Sequence, residues 1–311
     1  MSRPIAQAAA STTGTRQASW SRQAARRAAD FIQLTKPRLT SLVLATAAVG
    51  FFTASARDAD LLVGLLMVAG LAAVVGGGNA LNQYWERDAD ARMHRTRNRP
   101  LPTGRLAAGE ALGFGIAASL AGFAILALLV NTLAALVALV AWGLYVLVYT
   151  PLKQRTAACT LIGAFPGAIP PLVGWAAARG SLDAGAWSLF AIIFVWQIPH
   201  FFSISRTYRS DYERGGFPML GVHDPDGAVT GRLSLAYALL LIPLAPLPAL
   251  LGLAGGGYLW GSLALGTGFA AITVWSLRTL GAGHERWVFL GSLVYLTLLM
   301  ALLLVDRHPL P

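Results

Sequence analysis

Three acidic and five arginine side chains follow a long apolar run in the stretch NQYWERDADARMHRTRNRP. Asn82, Glu86 and Asp90 are spaced four residues apart, so on a helix they share one face. Amide and carboxylate oxygens suit a hard divalent cation such as Mg²⁺, which often binds through one or two carboxylates plus substrate phosphates. Asp88 falls on the other side of the helix, where it is paired with an arginine or solvated. The spacing is equally compatible with a capped, salt-bridged helix end.

A second charged cluster, RTYRSDYERGG, carries Asp211 and Glu213. Between the two clusters, the stretch YTPLKQRT offers Lys153 and Arg155 as partners for phosphate oxygens. Acidic clusters with basic residues nearby have the composition of a Mg²⁺–diphosphate site, in which metal and cations neutralise a leaving group.

The elements that position these clusters are apolar. Hydrophobic residues make up 56% of the 311 residues and charged residues only 12%, which predicts an all-α polytopic membrane protein. Nine runs approach the roughly 20 residues that a helix needs to cross a bilayer. The predicted spans are Leu39–Ser55, Leu61–Trp85, Leu106–Val130, Thr132–Thr150, Thr160–Ala178, Trp187–Ser205, Leu233–Leu253, Tyr258–Leu277 and Trp287–Val305.

The distribution of positive charge predicts how this bundle is oriented. With the N-terminus in the cytoplasm, all of the 24 Lys and Arg residues except Arg57, Arg179 and Arg307 lie in cytoplasmic segments. This asymmetry explains the net charge of +10 without a nucleic-acid partner, and orientation alone accounts for most of the basic residues. It does not explain the acids, because acidic residues contribute little to topology. Both acidic clusters are predicted on the same side, where they can meet.

The N-terminal residues differ from the rest of the chain. We expect residues 1–35, rich in Ala, Ser, Arg and Gln, to form a disordered cytosolic tail before a membrane domain at residues 36–311. The composition faintly resembles a mitochondrial transit peptide, but a bacterial inner-membrane protein is favoured over a mitochondrial one. The single Cys159 is expected to be a small buried hydrophobe.

His200 lies inside the sixth predicted span, about three helical turns before Asp211. An ionisable residue at that depth is a functional candidate by default. Two roles remain open: contact with a flat apolar substrate, or an ordinary interhelical hydrogen bond. Trp196 and Gln197 belong to the same stretch and are candidates for packing.

The quoted stretches resemble the UbiA superfamily of intramembrane prenyltransferases, from LTKPRLT to the last predicted span. The segment NQYWERDADARMHRTRNRPLPTG is typical of several branches, whereas WQIPHF followed by DYERGGFPML is typical of the branch that modifies heme. The resemblance implies a nine-helix bundle around a central cavity. It also implies transfer of the farnesyl group of farnesyl diphosphate to a vinyl group of heme B with addition of water, giving heme O, with Mg²⁺ as cofactor. The partners it implies are the two substrates, the lipid bilayer and a heme A synthase or oxidase assembly protein.

The family's functional positions fall on residues of both clusters. The resemblance implies catalytic roles for Asn82, Glu86, Asp90, Lys153 and Asp211, metal binding by Asn82, Glu86, Asp90 and Asp211, and substrate binding by Arg95, Arg99, Arg155, His200 and Glu213.

Two departures from the family pattern affect the predicted site. Glu86 stands where many members carry Asp, and Gly221 stands where a proline is frequent. The second acidic cluster is also thinner than the paired-aspartate form, so Asp211 acts either with Glu213 or through a single metal contact.

The sequence alone leaves three alternative functions open. A UbiA enzyme acting on a quinone precursor shares the first motif. A divalent-metal or anion transporter also places charges at helix ends, although transport sites usually lie near the midplane. A noncatalytic heme-handling assembly factor would bind heme without Mg²⁺-dependent turnover.

Overall fold

A computed structural model describes residues 23–56, 59–279 and 285–308. Within these residues nine helices are long and apolar enough to cross a membrane. The nine predicted spans are therefore confirmed, with boundaries shifted by a few residues. The helices are α1 (Pro37–Ala54), α2 (Leu61–Arg92), α3 (Ala108–Val130), α4 (Thr132–Leu152), α5 (Cys159–Arg179), α6 (Ala184–Thr207), α7 (Ala228–Leu250), α8 (Gly256–Thr279) and α9 (Glu285–Val305).

Side chains at the first turns explain where several helices begin. Asp60 accepts the backbone N–H groups of Leu62 and Val63 at the start of α2, and Asn131 accepts that of Ala134 at the start of α4. These caps satisfy amide groups that have no partner within their own helix. α1 begins with Pro37, whose fixed φ suits a first helical position.

α2 is longer than the sequence indicated. It runs for 32 residues to Arg92, whereas the apolar run ends near Trp85. Helical geometry therefore continues past the apolar segment, and the complete first acidic cluster lies on a single helix. We call the end of the bundle where α2 and α6 finish and α1 begins the charged end.

Part of the segment expected to form a disordered tail, residues 23–34, packs on the bundle. Residues 1–22 lie outside the described part, but residues 23–34 are helical and attached to the bundle. Phe31 contacts Phe114 with ring centroids 5.3 Å apart, and Leu34 is fully buried. Arg27 pairs with Glu110. An apolar face on this short helix, which its high content of Ala and Arg obscures, explains why the segment packs.

Glycines allow two pairs of helices to approach closely. A Cβ atom at Gly174 of α5 would overlap the Ala47 carbonyl oxygen of α1. A Cβ atom at Gly50 of α1 would overlap the Pro171 carbonyl oxygen of α5. α2 and α3 are similarly close at Gly77, where Gly115 faces it. Small residues at such contacts maximise backbone packing in membranes. The result is two closely packed helix pairs, α1 with α5 and α2 with α3.

The segment after α9 closes the bundle opposite the charged end. Arg307 donates to the carbonyl oxygens of Phe52 at 2.5 Å and Ser55 at 3.2 Å. Asp306 accepts the backbone N–H of Tyr258 at 2.6 Å. The segment after α9 therefore ties together the ends of α1 and α8.

The contact between α1 and α5 yields a stability prediction. Gly174→Ala places a methyl group into the α1 backbone, and we expect overpacking to lower stability by about 1–3 kcal/mol. Thermal unfolding in mild detergent is the measurement. Gly113→Ala is the matched control, because a Cβ at that position meets no atom within 4 Å. An equal melting temperature for the two variants would contradict the proposed close packing.

Candidate active site

One cavity of about 770 Å³ lies among the helices. Its walls are mostly apolar, but one part of its lining is charged. Seven of the sequence-predicted site residues line it: Asn82, Glu86, Asp90, Arg95, Arg99, Lys153 and His200. The structure therefore assembles residues that are more than 100 positions apart in the chain.

The predicted face of α2 is confirmed. Asn82, Glu86 and Asp90 are 2%, 2% and 1% exposed, and all three line the cavity. The Asn82 amide donates to Glu86 at 3.0 Å. Asp88, in contrast, has a side chain that is 82% exposed and lies 3.9 Å from Arg87. One helical face thus lines the cavity while the intervening acid faces outward.

Glu86 and Lys153 form a buried ion pair. The Lys153 ammonium donates to the two carboxylate oxygens at 3.1 and 3.0 Å, which holds the last turn of α4 against α2. Burial opposes the charge of Lys153, but the neighbouring Glu86 carboxylate outweighs it and raises the pKa of the lysine. Lys153 therefore remains protonated across the physiological pH range.

Asp90 is held by the loop that follows α2. Arg99 donates to its Oδ2 atom at 2.6 Å, and the Thr96 hydroxyl donates to its backbone carbonyl at 2.9 Å. The other carboxylate oxygen, Oδ1, is buried without a hydrogen-bond partner among the described residues. Because an unsatisfied buried oxygen is unfavourable, this atom is a candidate ligand for a cation.

Arg95 lies on the same loop but is held by aromatic rings. Its guanidinium is 4.8 Å from the centre of the Tyr208 ring and 5.5 Å from that of Tyr212. Such cation–π contacts orient a cation without neutralising it. Arg95 therefore keeps its full charge for an anion in the cavity.

The sequence reasoning missed Lys36, which precedes α1. Its ammonium donates to the Asn82 side-chain oxygen at 2.7 Å, and it lines the cavity. Burial, followed by the nearby Arg99 charge, lowers its pKa to about 7. A lysine directly before the proline that starts a membrane helix is a weak signal, and only the tertiary contact reveals its role.

Asp211 was expected to bind a metal ion beside the first cluster, but its observed contacts are with the backbone of the loop after α2. Its carboxylate accepts the backbone N–H groups of His94 at 2.9 Å and Arg95 at 3.3 Å, and it pairs with Arg214. Burial works against its charge, but the Arg214 side chain and these two N–H groups lower the pKa of Asp211 overall. The acidic clusters therefore meet, with Asp211 supporting the loop of the first cluster.

His200 and Asp211 are not separated by three turns of one continuous helix, as the sequence predicted. α6 ends at Thr207, and a new helix, Arg209–Gly215, begins after a bend at Tyr208. Asp211 consequently does not line the cavity. Arg155 and Glu213 are exposed and do not line it either. No group of three acidic, His or Cys ligands exists among the described residues. Metal binding by Asp211 and substrate binding by Arg155 and Glu213 stay predictions.

His200 lies deeper in α6 and makes one of the two contacts considered for it, the interhelical hydrogen bond, while its contact with a substrate stays a prediction. Its Nδ1 atom forms a 2.8 Å hydrogen bond with the Ser292 hydroxyl of α9. Its ring stacks between Trp196 and Phe289, with centroids 4.9 and 5.0 Å away. The interhelical hydrogen bond is therefore present, and the residue also lines the cavity. Trp196 donates to the Ser292 carbonyl at 2.7 Å, so it has a hydrogen bond as well as a packing role.

Two tyrosines of α4 line the wall between the charged and apolar parts. Tyr145 and Tyr149 lie in a π-helical turn, Leu144–Tyr149, and their rings stack with centroids 5.7 Å apart. The Tyr145 hydroxyl donates to Asn79 at 3.1 Å. π-helical turns are frequent at functional sites, and this one directs both rings to the cavity.

Comparisons with known proteins agree with this arrangement. The model of the UbiA prenyltransferase family matches residues 43–299. A protein of Solibacter usitatus named protoheme IX farnesyltransferase is 45% identical and covers 89% of this chain and 98% of its own length. A protein of Myxococcus xanthus with the same name is 46% identical and covers 91% of this chain and 96% of its own length.

Solved structures share the fold at lower identity. A structure concerned with digeranylgeranylglyceryl phosphate synthase has a TM-score of 0.76 and 17% identity, covering 90% of this chain and 98% of its own. A UbiA homologue from Archaeoglobus fulgidus bound to DMAPP and Mg²⁺ has a TM-score of 0.68 and 16% identity, covering 89% of this chain and 98% of its own.

The buried ion pair gives a prediction that does not depend on the reaction. Glu86→Gln removes the carboxylate that neutralises Lys153, so we expect a loss of about 3–5 kcal/mol in stability, as for other broken buried pairs. Asp88→Asn is the control, since that acid is exposed. Chemical denaturation in detergent measures both, and equal stability of the two variants would rule out the pair as a major stabilising contact.

Proposed function

Since the chain belongs to the UbiA prenyltransferase family, we propose that it transfers the farnesyl group of farnesyl diphosphate to a vinyl group of heme B, giving heme O. The bacterial relatives named protoheme IX farnesyltransferase support this assignment, with identities of 45% and 46% over about nine-tenths of the chain. Their similarity favours the heme reaction over a quinone precursor, a transport function and a noncatalytic assembly role.

One observation carries the proposal: the cavity has an excess of positive charge. Arg95, Arg99 and Lys153 line it together with Lys36, which is partly protonated near neutral pH, against two acidic side chains, Glu86 and Asp90. Positive charge held inside a low-dielectric bundle is unfavourable until an anion binds. A diphosphate is an anion of the required size and charge, and the apolar remainder of the cavity suits the prenyl chain attached to it.

A divalent cation fits beside this anion. The orphaned Oδ1 atom of Asp90 and the neighbouring Glu86 supply oxygen ligands from one helix face, and a hard cation commonly completes its shell with phosphates and water. The A. fulgidus homologue is described with Mg²⁺ and DMAPP. We propose that Mg²⁺ is the cofactor, held mainly by Asp90 and Glu86 with Asn82 orienting Glu86, and that it neutralises developing charge on the diphosphate.

The residues of this chain then have separable tasks. Lys153, Arg95 and Arg99 bind the diphosphate and stabilise it as the carbon–oxygen bond to the farnesyl group breaks. The apolar walls, including Val74, Ala138 and Val173, exclude water from the allylic carbon. The vinyl double bond forms the new carbon–carbon bond, water supplies the hydroxyl group, and diphosphate and a proton are released.

The α6–α9 side of the cavity suits the macrocycle. Trp196 and His200 line it with Leu296 and Met300 of α9, and the His200 ring stacks on Trp196 and on Phe289 behind it. A flat apolar ring binds well against such surfaces. His200 has its Nδ1 atom engaged by Ser292, which leaves Nε2 for contact with heme.

The cellular setting follows from the same features. The nine apolar helices make this a multi-pass membrane protein. We place it in a bacterial inner membrane, with the N-terminus and the charged end in the cytoplasm, because the basic residues are concentrated at that end. Heme B and farnesyl diphosphate are its substrates, and a heme A synthase or oxidase assembly protein is the expected recipient of the product.

The first functional prediction concerns the metal-binding face. Asp90→Asn should lower turnover by at least about 100-fold, since it removes a charged ligand and the Arg99 ion pair. The protein should stay folded in the membrane. Turnover is measured by product mass with purified protein, heme B, Mg²⁺ and farnesyl diphosphate. Asp88→Asn, on the exposed side, should retain most activity, and equal losses from the two changes would contradict the one-face site.

Absence of any product from the unaltered protein would overturn the proposed reaction.

The second functional prediction concerns His200. His200→Ala removes an aromatic ring and a polar nitrogen on the heme side but leaves the charged end intact. We expect weaker heme binding, by about tenfold, with the KM for farnesyl diphosphate nearly unchanged. Absorbance titration with heme B and steady-state kinetics provide the two measurements. Normal heme binding combined with a lower melting temperature would assign His200 to the interhelical hydrogen bond alone.

A further inference from the structure

The backbone at Lys36 is unusual. It has a φ of 50° and is the one non-glycine residue with positive φ in the described ranges 23–56, 59–279 and 285–308. A lysine in this left-handed conformation is strained, and such strain persists only where surrounding contacts impose it. The turn that contains it joins the helical segment 23–34 to α1.

Side-chain amides of α2 impose this conformation. Gln83 donates to the Leu34 carbonyl at 2.8 Å, and Asn79 donates to the Thr35 carbonyl at 3.1 Å. Both amide side chains are 1% exposed. Two successive backbone carbonyls before Lys36 are therefore fixed by α2, the helix that also carries Glu86 and Asp90.

The orientation of Asn82 completes the arrangement. Its NH₂ group donates to Glu86 and its oxygen accepts from Lys36. The opposite orientation would face the Asn82 oxygen towards a carboxylate and its NH₂ group towards an ammonium. The charged neighbours therefore fix how this amide is turned, and Lys36 is directed to the acidic face of α2.

Lys36 has no direct carboxylate partner in the described part of the chain, because the nearby acids are already engaged. Lys153 binds Glu86, and Arg99 binds Asp90. In its protonated form the Lys36 side chain has three donors, of which the described contacts use one, to Asn82. A lysine kept for stability alone would be expected to have its own acid, whereas this one retains donors inside the cavity.

We propose that Lys36 binds the diphosphate of the prenyl substrate, and that Gln83 and Asn79 are positioning residues that hold it through the turn. The inference rests on the proposed function for the identity of the substrate. It adds a cation from the chain preceding α1 to those from α4 and the loop after α2. The diphosphate is then surrounded by three separate segments, all attached to one helix, α2.

Lys36→Met tests the proposal most directly. We expect the Kd for inorganic diphosphate in the presence of Mg²⁺, measured by calorimetry, to rise by about 10- to 100-fold, as expected for loss of a hydrogen bond to a charged group. The KM for farnesyl diphosphate should rise in parallel while heme B binding, measured by absorbance, stays unchanged. Arg38→Gln is the matched control, because it removes a positive charge two residues away that does not line the cavity.

A Kd for diphosphate within twofold of the unaltered protein would overturn the proposal. So would an equal effect from Arg38→Gln, which would indicate a general charge effect. If Lys36→Met does not fold, Lys36→Gln replaces it, since glutamine can still donate to Asn82 but lacks the charge. The same rise in Kd is expected from that variant.

Gln83 is tested through its dependence on Lys36. Gln83→Met should raise the Kd for diphosphate several-fold in the unaltered background and have little further effect in the Lys36→Met background. A residue with only a structural role would give independent, additive effects in this double-mutant cycle. Additive effects would therefore overturn the positioning role of Gln83.

These outcomes are distinct from failure of the proposed reaction. If the unaltered protein gives no product with heme B but binds diphosphate through Lys36, the heme reaction is wrong and the diphosphate site stands. If heme O forms and Lys36→Met leaves both the Kd and the KM unchanged, the reaction stands and the role of Lys36 is wrong.

Discussion

The need to neutralise Glu86 inside a membrane bundle shapes the whole charged end. A carboxylate that is 2% exposed is tolerable only with a cation and further hydrogen bonds in place. Lys153 from α4 and the Asn82 amide meet that requirement. Because the partners come from different helices, satisfying one carboxylate also fixes how α2 and α4 pack at this end.

The same requirement extends to the segments outside the helices. Asp90 holds Arg99 and thereby the loop after α2, and Asp211 holds that loop from the other side through two backbone N–H groups. The turn before α1 is fixed by Gln83 and Asn79. Polar side chains thus organise loops that have little apolar surface of their own, so the charged end is ordered by hydrogen bonds where the rest of the bundle is ordered by packing.

The nine spans and the α2 face could be predicted from the sequence because both depend on local patterns. Apolar runs of sufficient length define the nine spans, and four-residue spacing alone places Asn82, Glu86 and Asp90 together. The rest depends on contacts between distant residues. Lys36 meets Asn82 across 46 positions, which no local pattern reveals, and the bend at Tyr208 turns Asp211 to the loop in place of the cavity. The packing of residues 23–34 was missed for a related reason: composition hid the few apolar contacts of Phe31 and Leu34.

The two kinds of order also explain why a large cavity persists in an otherwise close-packed bundle. Glycine contacts bring α1 onto α5 and α2 onto α3 until their backbones touch, so these two helix pairs leave no space between them at the contacts. The cavity lies where α4, α6 and α9 face α1 across the centre, and bulky and polar side chains line it. A charged group at one end of this space and an aromatic stack beside α9 can then act on different substrates at once. Since ion pairs, hydrogen bonds and ring contacts already hold both sets of residues, little ordering is needed when the substrates bind, and the binding free energy is available to orient the reacting groups.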